Sequence, residues 1–173
     1  MEFLKAVADR IPDYAKDIRL NLGSVVARSS LEPEAALGVA LAAAYACNCR
    51  PLMDAIRDSG ELPATEANGA LAAAALMAMN NVWYPYVEMA NDTELATQRA
   101  ELRMTVYGTY GGIARQRFEL YALTASIIGK CSYCVASHYK LLKENGMSAL
   151  QLRDAGRIAS VVAAAAQALV NTA

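Results

Sequence analysis

Residues 115–146 read RQRFELYALTASIIGKCSYCVASHYKLLKENG. Two helical stretches can be separated in it, RQRFELYALTASII and CSYCVASHYKLLKENG, because small and straight-chain residues dominate and a period-two alternation is missing. Gly129 can interrupt the first helix and leave Cys131 near a fresh N-terminus. The second stretch closes on Asn145-Gly146, a pair suited to a helix C-cap. Within the second helix Cys131, Cys134 and His138 are spaced by three, four and seven residues, which brings them to one face. His138 is the chain's single histidine. Two thiols and the only imidazole on one face form a redox centre, most of a zinc site, or an accident of packing.

The same signals extend in both directions. EPEAALGVALAAAYA (32–46) follows Ser29, Ser30 and Leu31, with Pro33 placed for a first helical turn. ATEANGALAAAALMAMNNVWY (64–84) predicts a long helix starting near Thr65. MSALQLRDAGRIASVVAAAAQALVN (147–171) predicts another, with Ser148 as its N-cap. VYGTYGGIARQ (106–116) holds three glycines and reads as loop. The expectation is an all-α protein of about seven or eight helices in a single domain over residues 1–173. IRDSG at 56–60 echoes LKENG at 142–146, an offset of 86 residues. That offset sets Leu37 on Leu123, Leu41 on Ile127, Leu52 on His138, and residues 70–79 on 156–165. Two similar helical units, roughly 31–85 and 117–171, follow from it, with the chemistry kept in the second.

The 173 residues are 55% hydrophobic and 19% charged, within the globular range. Net charge is −1 with no basic block, so the cationic footprint of a nucleic-acid binder is missing. Glu2, Lys5, Asp9 and Arg10 interrupt what a secretory signal would need as an apolar stretch. The apolar runs at 37–47 and 70–79 fall short of the roughly 18 residues of a spanning helix. No membrane association and a cytoplasmic location are expected. Thiols are kept reduced there, so four cysteines do not read as a structural disulfide framework. Helices rich in alanine each bury little area, and leftover apolar faces favour homo-oligomers.

The redox reading rests on two points. A thiol at a helix N-terminus gains thiolate character, from roughly 3% ionised at pH 7 for a pKa of about 8.5 to about half for a pKa near 7. His138 stands four residues after Cys134 and can act as its base, which makes Cys134 the activated nucleophile and Cys131 its disulfide partner. The zinc reading lacks a fourth ligand unless Cys47 or Cys49 comes alongside. The packing reading treats both cysteines as buried apolar filler beside a satisfied histidine. Cys47 and Cys49 are assigned to packing, since two residues apart they point to opposite sides of a helix. Tyr133 reads as a rim residue. Met77, Met79, Trp83, Tyr84 and Tyr86 read as core or subunit interface. Glu119, twelve residues before Cys131, is by pattern alone one carboxylate among 17 acidic residues.

Glu119…Cys131-Ser132-Tyr133-Cys134…His138, the pattern E-(x)11-C-S-x-C-x-x-x-H, resembles the signature of the alkyl hydroperoxide reductase D (AhpD) family. PDYAKDIRLNLGSV near the start and MNNVWY in the middle also resemble that family, so the likeness runs over nearly the whole chain. Broader relatives include carboxymuconolactone decarboxylases, which share the helical fold and can lack the paired cysteines. The resemblance implies an AhpD-like all-α fold, a homotrimer and antioxidant peroxidase activity through a Cys131–Cys134 redox disulfide, with no bound cofactor or metal. It implies that dihydrolipoyl groups on a dehydrogenase-complex protein (dihydrolipoamide chemistry) reduce the disulfide. The dithiol then passes electrons to a partner peroxiredoxin of the AhpC type or to a hydroperoxide. Carried over by position, Cys134 matches the attacking cysteine, Cys131 the resolving and proton-donating one, and His138 with Glu119 the proton relay. Many members have histidine between the cysteines. Tyr133 stands there in this chain; a phenol can donate a hydrogen bond but ordinarily titrates near pH 10 and shuttles protons less readily. The reaction is therefore expected to survive, with its rate and pH dependence open to change. The alternatives are a decarboxylase-like enzyme, for which the cysteines are dispensable, and a zinc-stabilised helical scaffold.

Overall fold

The computed structural model describes residues 1–170; residues 171–173, in which the expected second unit ends, lie outside it. Every regular element among the described residues is helical. In order they are α1 (Glu2–Ala8), α2 (Lys16–Val25), α3 (Pro33–Ala46), α4 (Arg50–Asp58), α5 (Ala64–Ala90), α6 (Thr93–Thr97), α7 (Arg115–Gly129), α8 (Ser132–Glu144) and α9 (Ala149–Val170). Short 3-10 turns occur at Asp13–Ala15, Thr105–Gly108 and Tyr110–Gly112. The all-α reading holds. The helices it did not place are α1, α2, α4 and α6; the last is five residues started by Asp92, whose carboxylate accepts from the N–H groups of Glu94 and Leu95.

Local chemistry sets the helix ends. Pro33 sits in the first turn of α3. Ser148 begins α9 with a reciprocal cap: its hydroxyl accepts from Gln151 N–H (3.2 Å), and the Gln151 side chain accepts from Ser148 N–H (2.9 Å). Gly146 follows α8 with φ 89°. The α7–α8 break differs from expectation. Lys130, not Gly129, takes the left-handed conformation (φ 54°). Gly129 is the last residue of α7, and Asn81 of α5 lies against it where a Cβ would stand. The glycine there serves close approach rather than backbone freedom.

α3 lies at the centre. Ala35 through Ala44 are buried without interruption, so this helix has no solvent face. It packs on α5, α7 and α9, and α7 packs on the same neighbours and on α8. Small residues let these helices approach closely; the Tyr121 ring of α7 occupies the place a side chain at Gly38 would take. The Tyr121 hydroxyl donates to Glu66 of α5, which also pairs with Arg117 (3.4 Å). Burial, reinforced by Glu66, pushes the Tyr121 phenol well above its ordinary value, so it remains a donor. Three helices are thereby pinned at one end of the bundle.

The α3–α4 and α7–α8 junctions follow the same backbone path. Asn48 (φ 55°) and Lys130 (φ 54°) are the left-handed residues, and Cys49 and Cys131 are the N-caps that follow them. Cys49 N–H donates to Ala44 carbonyl (2.8 Å), as Cys131 N–H does to Ser126 carbonyl (3.3 Å). These landmarks, like the helix starts Pro33 and Arg115, are 82 residues apart, whereas Gly60 and Gly146 are 86 apart. The difference lies in helix length: α4 has 9 residues and α8 has 13, about one more turn. At the junction it is therefore Leu52, not Asn48, that stands where Cys134 stands, and Ile56 that stands where His138 stands.

Candidate active site

α8 begins at Cys131, whose sulfur caps the helix by accepting Cys134 N–H at 3.2 Å. One turn of helix places Cys134 beside it, and the two form a disulfide with Cα atoms 5.3 Å apart. Both cysteines are buried. One further turn along the same face stands His138, also buried. α7 runs against α8 and supplies Glu119, a buried carboxylate. His138 Nδ1 and Glu119 Oε2 are 2.7 Å apart, the distance of a charge-assisted hydrogen bond. That contact fixes the imidazole's orientation and leaves Nε2 as its working nitrogen.

All four residues singled out from the sequence thus stand together at the α7–α8 contact. One expected contact is not made. His138 Nε2 faces Met77 Sδ at 3.3 Å rather than Cys134. The physical reason is the oxidation state: a disulfide sulfur carries no proton for a base to accept, and Cys134 Sγ is turned toward Cys131 and lies 4.0 Å from the Asn80 carbonyl.

The third wall is α5, whose residues 77, 80 and 84 fall on one face by helical spacing. Met77 Sδ faces the imidazole, the Asn80 backbone carbonyl lies near Cys134 Sγ, and the Tyr84 ring stacks on Tyr133 with centroids 4.6 Å apart. Sequence reading assigned Met77 and Tyr84 to core or interface and gave Asn80 no role. The signal it passed over was the polar pair Asn80-Asn81 set in an alanine- and methionine-rich helix. Tyr133 is the rim residue it was read to be, 59% exposed. A cavity of about 610 Å³ opens there, between Trp83, Tyr84, Glu88, Gln98 and Tyr133.

Glu119 has further company. Arg115, one turn earlier on α7, brings its guanidinium to 3.9 Å from Oε1 and reaches solvent. Tyr107, in the 3-10 turn, packs its ring edge on Phe118. Burial first, then the Glu119 charge and Tyr84, pushes the Tyr107 phenol up to about 12. It is a neutral donor near the carboxylate at any physiological pH. The glycine-rich loop that carries it gave no hint of this role, because the contact depends on how that loop folds over α7.

Cys47 and Cys49 are free thiols on the far α3–α4 junction. Burial pushes both up, so each remains protonated, in keeping with packing. Among the described residues no group of three or more His, Cys, Asp or Glu is arranged to hold a metal ion. No helix among them is long and apolar enough to cross a membrane.

Comparison with known proteins agrees with this geometry. The carboxymuconolactone decarboxylase family profile matches residues 93–173, the segment from α6 onward that carries Glu119, both cysteines and His138. The alkyl hydroperoxide reductase AhpD of Rhizorhabdus wittichii is 42% identical over 165 residues, covering 94% of this chain and 95% of its own length. The protein of that name from Rhodospirillum centenum is 41% identical over 168 residues, covering 96% of this chain and 90% of its own. That of a Bradyrhizobium strain is 38% identical, covering 96% and 92%.

Proposed function

The chain belongs to the alkyl hydroperoxide reductase AhpD family, and from that premise we propose that it is a thiol-disulfide oxidoreductase that reduces hydroperoxides through Cys131 and Cys134. The observation that carries the reading is the buried disulfide at the start of α8 with a hydrogen-bonded Glu119–His138 pair one turn behind it.

In the reduced state His138, held by Glu119, takes the Cys134 proton. The Cys134 thiolate attacks the terminal peroxide oxygen, the O–O bond breaks, and the alkoxide leaves as alcohol with the proton from His138. Cys134 is then a sulfenic acid. Cys131 attacks its sulfur, the disulfide closes, and the hydroxide leaves as water with the Cys131 proton. The Cys134 N–H that points at Cys131 Sγ supports negative charge on that sulfur as it attacks. A dithiol of the dihydrolipoyl type, carried on a dehydrogenase-complex protein, reopens the bond by exchange. The same dithiol form of Cys131 and Cys134 can instead reduce a disulfide on an AhpC-type peroxiredoxin. Neither use needs a bound cofactor or metal.

The assembly proposed is a homotrimer. In support, Val82, Tyr86 and Met89 on α5 are 70%, 51% and 78% exposed and are spaced to form one apolar stripe.

The test is stopped-flow oxidation of reduced lipoamide by cumene hydroperoxide with the chain present, beside a Cys134→Ser control. Turnover that needs the protein and is lost in Cys134→Ser is expected. The second reading, favoured by the family profile, is a decarboxylase-like activity on a small cyclic acid. It predicts that Cys134→Ser is fully active on that acid, and no peroxide turnover by the native chain, even with a peroxiredoxin added, would favour it.

A further inference from the structure

Among the described residues four buried side-chain atoms have no hydrogen-bond partner: Ser29 Oγ, Asn80 Oδ1, Asn81 Oδ1 and Ser126 Oγ. Three of the four belong to the walls of the redox centre. Ser126 gives its backbone carbonyl to Cys131 N–H, and Asn81 Nδ2 donates to the Ala125 carbonyl at 3.0 Å. Asn80 is closest to the reacting sulfur: its own backbone carbonyl is 4.0 Å from Cys134 Sγ. Its side chain shares the α5 face of Met77, which touches His138, and of Tyr84, which covers Tyr133. At 3% exposure it is shut off from bulk solvent. A buried carbonyl oxygen left unpaired is costly, and native proteins keep such groups where another state uses them.

The chemistry of the pair says which state that is. In the disulfide neither sulfur carries a hydrogen, so Cys134 offers nothing to an acceptor on this face of α5. Once the pair is reduced and meets an oxidant, the terminal oxygen of a hydroperoxide carries an O–H. The same O–H is present on the Cys134 sulfenic acid and departs at last in water. We propose that the Asn80 side-chain carbonyl accepts that O–H, holding the transferred oxygen in line with the attacking Cys134 sulfur. The inference rests on the peroxide-reducing reading above. The bond tightens as the reaction proceeds: the oxygen moving to sulfur becomes electron-poor as the O–O bond breaks, so its hydrogen becomes a better donor. A contact that strengthens toward the transition state accelerates the step. Atoms and electrons balance as before, since Asn80 neither gains nor loses a proton.

The role separates two reactions of the same cysteine. Attack on a peroxide involves an O–H; exchange with a disulfide does not. The experiment uses the reduced full-length chain, with the fluorescence of its single tryptophan, Trp83, as signal. It is mixed with cumene hydroperoxide in one arm and with a small aromatic disulfide in the other. Asn80→Leu keeps the volume and removes the acceptor, and Asn80→Ala is run beside it in case the leucine disturbs packing. Expected is a fall of about tenfold in the peroxide rate, the size of one hydrogen bond, with the disulfide rate held within about twofold. Equal slowing in both arms overturns the proposal, because it makes Asn80 a residue that only keeps the pair in shape. An unchanged peroxide rate in both variants overturns it too. A native chain inert to peroxide but reactive to the disulfide overturns the peroxide reading itself, and this inference with it.

Discussion

Glu119 shows how a single residue acquires a role from its surroundings. Nothing in its local sequence distinguishes it from the other acidic residues, yet α7 buries it and α8 brings His138 to 2.7 Å. The hydrogen bond from Nδ1 to Glu119 fixes the ring and leaves Nε2 free for the proton transfers of the proposed reaction. Glu119→Gln removes the counter-charge while keeping the hydrogen-bonding shape. The expected result is a loss of about tenfold or more in the peroxide rate and a displaced pH–rate profile. Rates measured from pH 5 to 9 would show it, and an unmoved profile would remove Glu119 from the relay.

At the scale of elements, the helix break matters more than the helices it joins. A left-handed residue followed by an N-cap cysteine turns the chain sharply at Lys130-Cys131 and again at Asn48-Cys49. The first of these breaks holds the Cys131–Cys134 disulfide; the second presents Cys49 with Leu52 where a partner cysteine would be. If backbone geometry is what brings the two sulfurs together, Leu52→Cys should create a 49–52 disulfide on mild oxidation. Thiol titration of the variant would then fall from three free thiols to one beside the 131–134 bond, and peptide mapping would locate the link. Persistence of free thiols at 49 and 52 would show that the break alone is insufficient. The new pair should not reduce peroxide, because Ile56 and Leu37 stand where His138 and Glu119 stand, 82 residues on.

For the whole molecule, the question is what ties α9 to the rest of the bundle. Asp154 is a buried carboxylate that accepts Ser30 N–H at 2.7 Å and pairs with Arg153 and Arg157. Burial alone would raise its pKa, but the Ser30 and arginine hydrogen bonds outweigh that and hold it well below the ordinary carboxylate range. A depressed folded-state value means that the stabilisation is present above the unfolded pKa of about 3.9 and is lost as pH falls further. Asp154→Asn should therefore cost about 1–3 kcal/mol at pH 7. Thermal melts should show that gap narrowing below about pH 4; a gap independent of pH would assign the loss to shape rather than charge.

The sequence by itself determined the helical class, the starts of α3, α5 and α9, the bounds of α7 and α8, and the line of Cys131, Cys134 and His138, because these follow from local chemistry and from spacing within one helix. Caps such as Ser148 and the Asn145-Gly146 stop were legible for the same reason: they are local chemistry. Only the tertiary structure decided the rest. Whether Glu119 meets His138, whether Met77, Asn80 and Tyr84 form the third wall, and whether Tyr107 reaches the carboxylate all depend on how α5 and the 3-10 turns cross α7 and α8. Gly129 illustrates the limit well. It was legible as a place where the helix ends, but the reason for a glycine there, the Asn81 side chain against its Cα, belongs to another helix 48 residues away. Contacts between helices distant in sequence leave no periodic trace in either one, and it is those contacts that turn two thiols and an imidazole into a site.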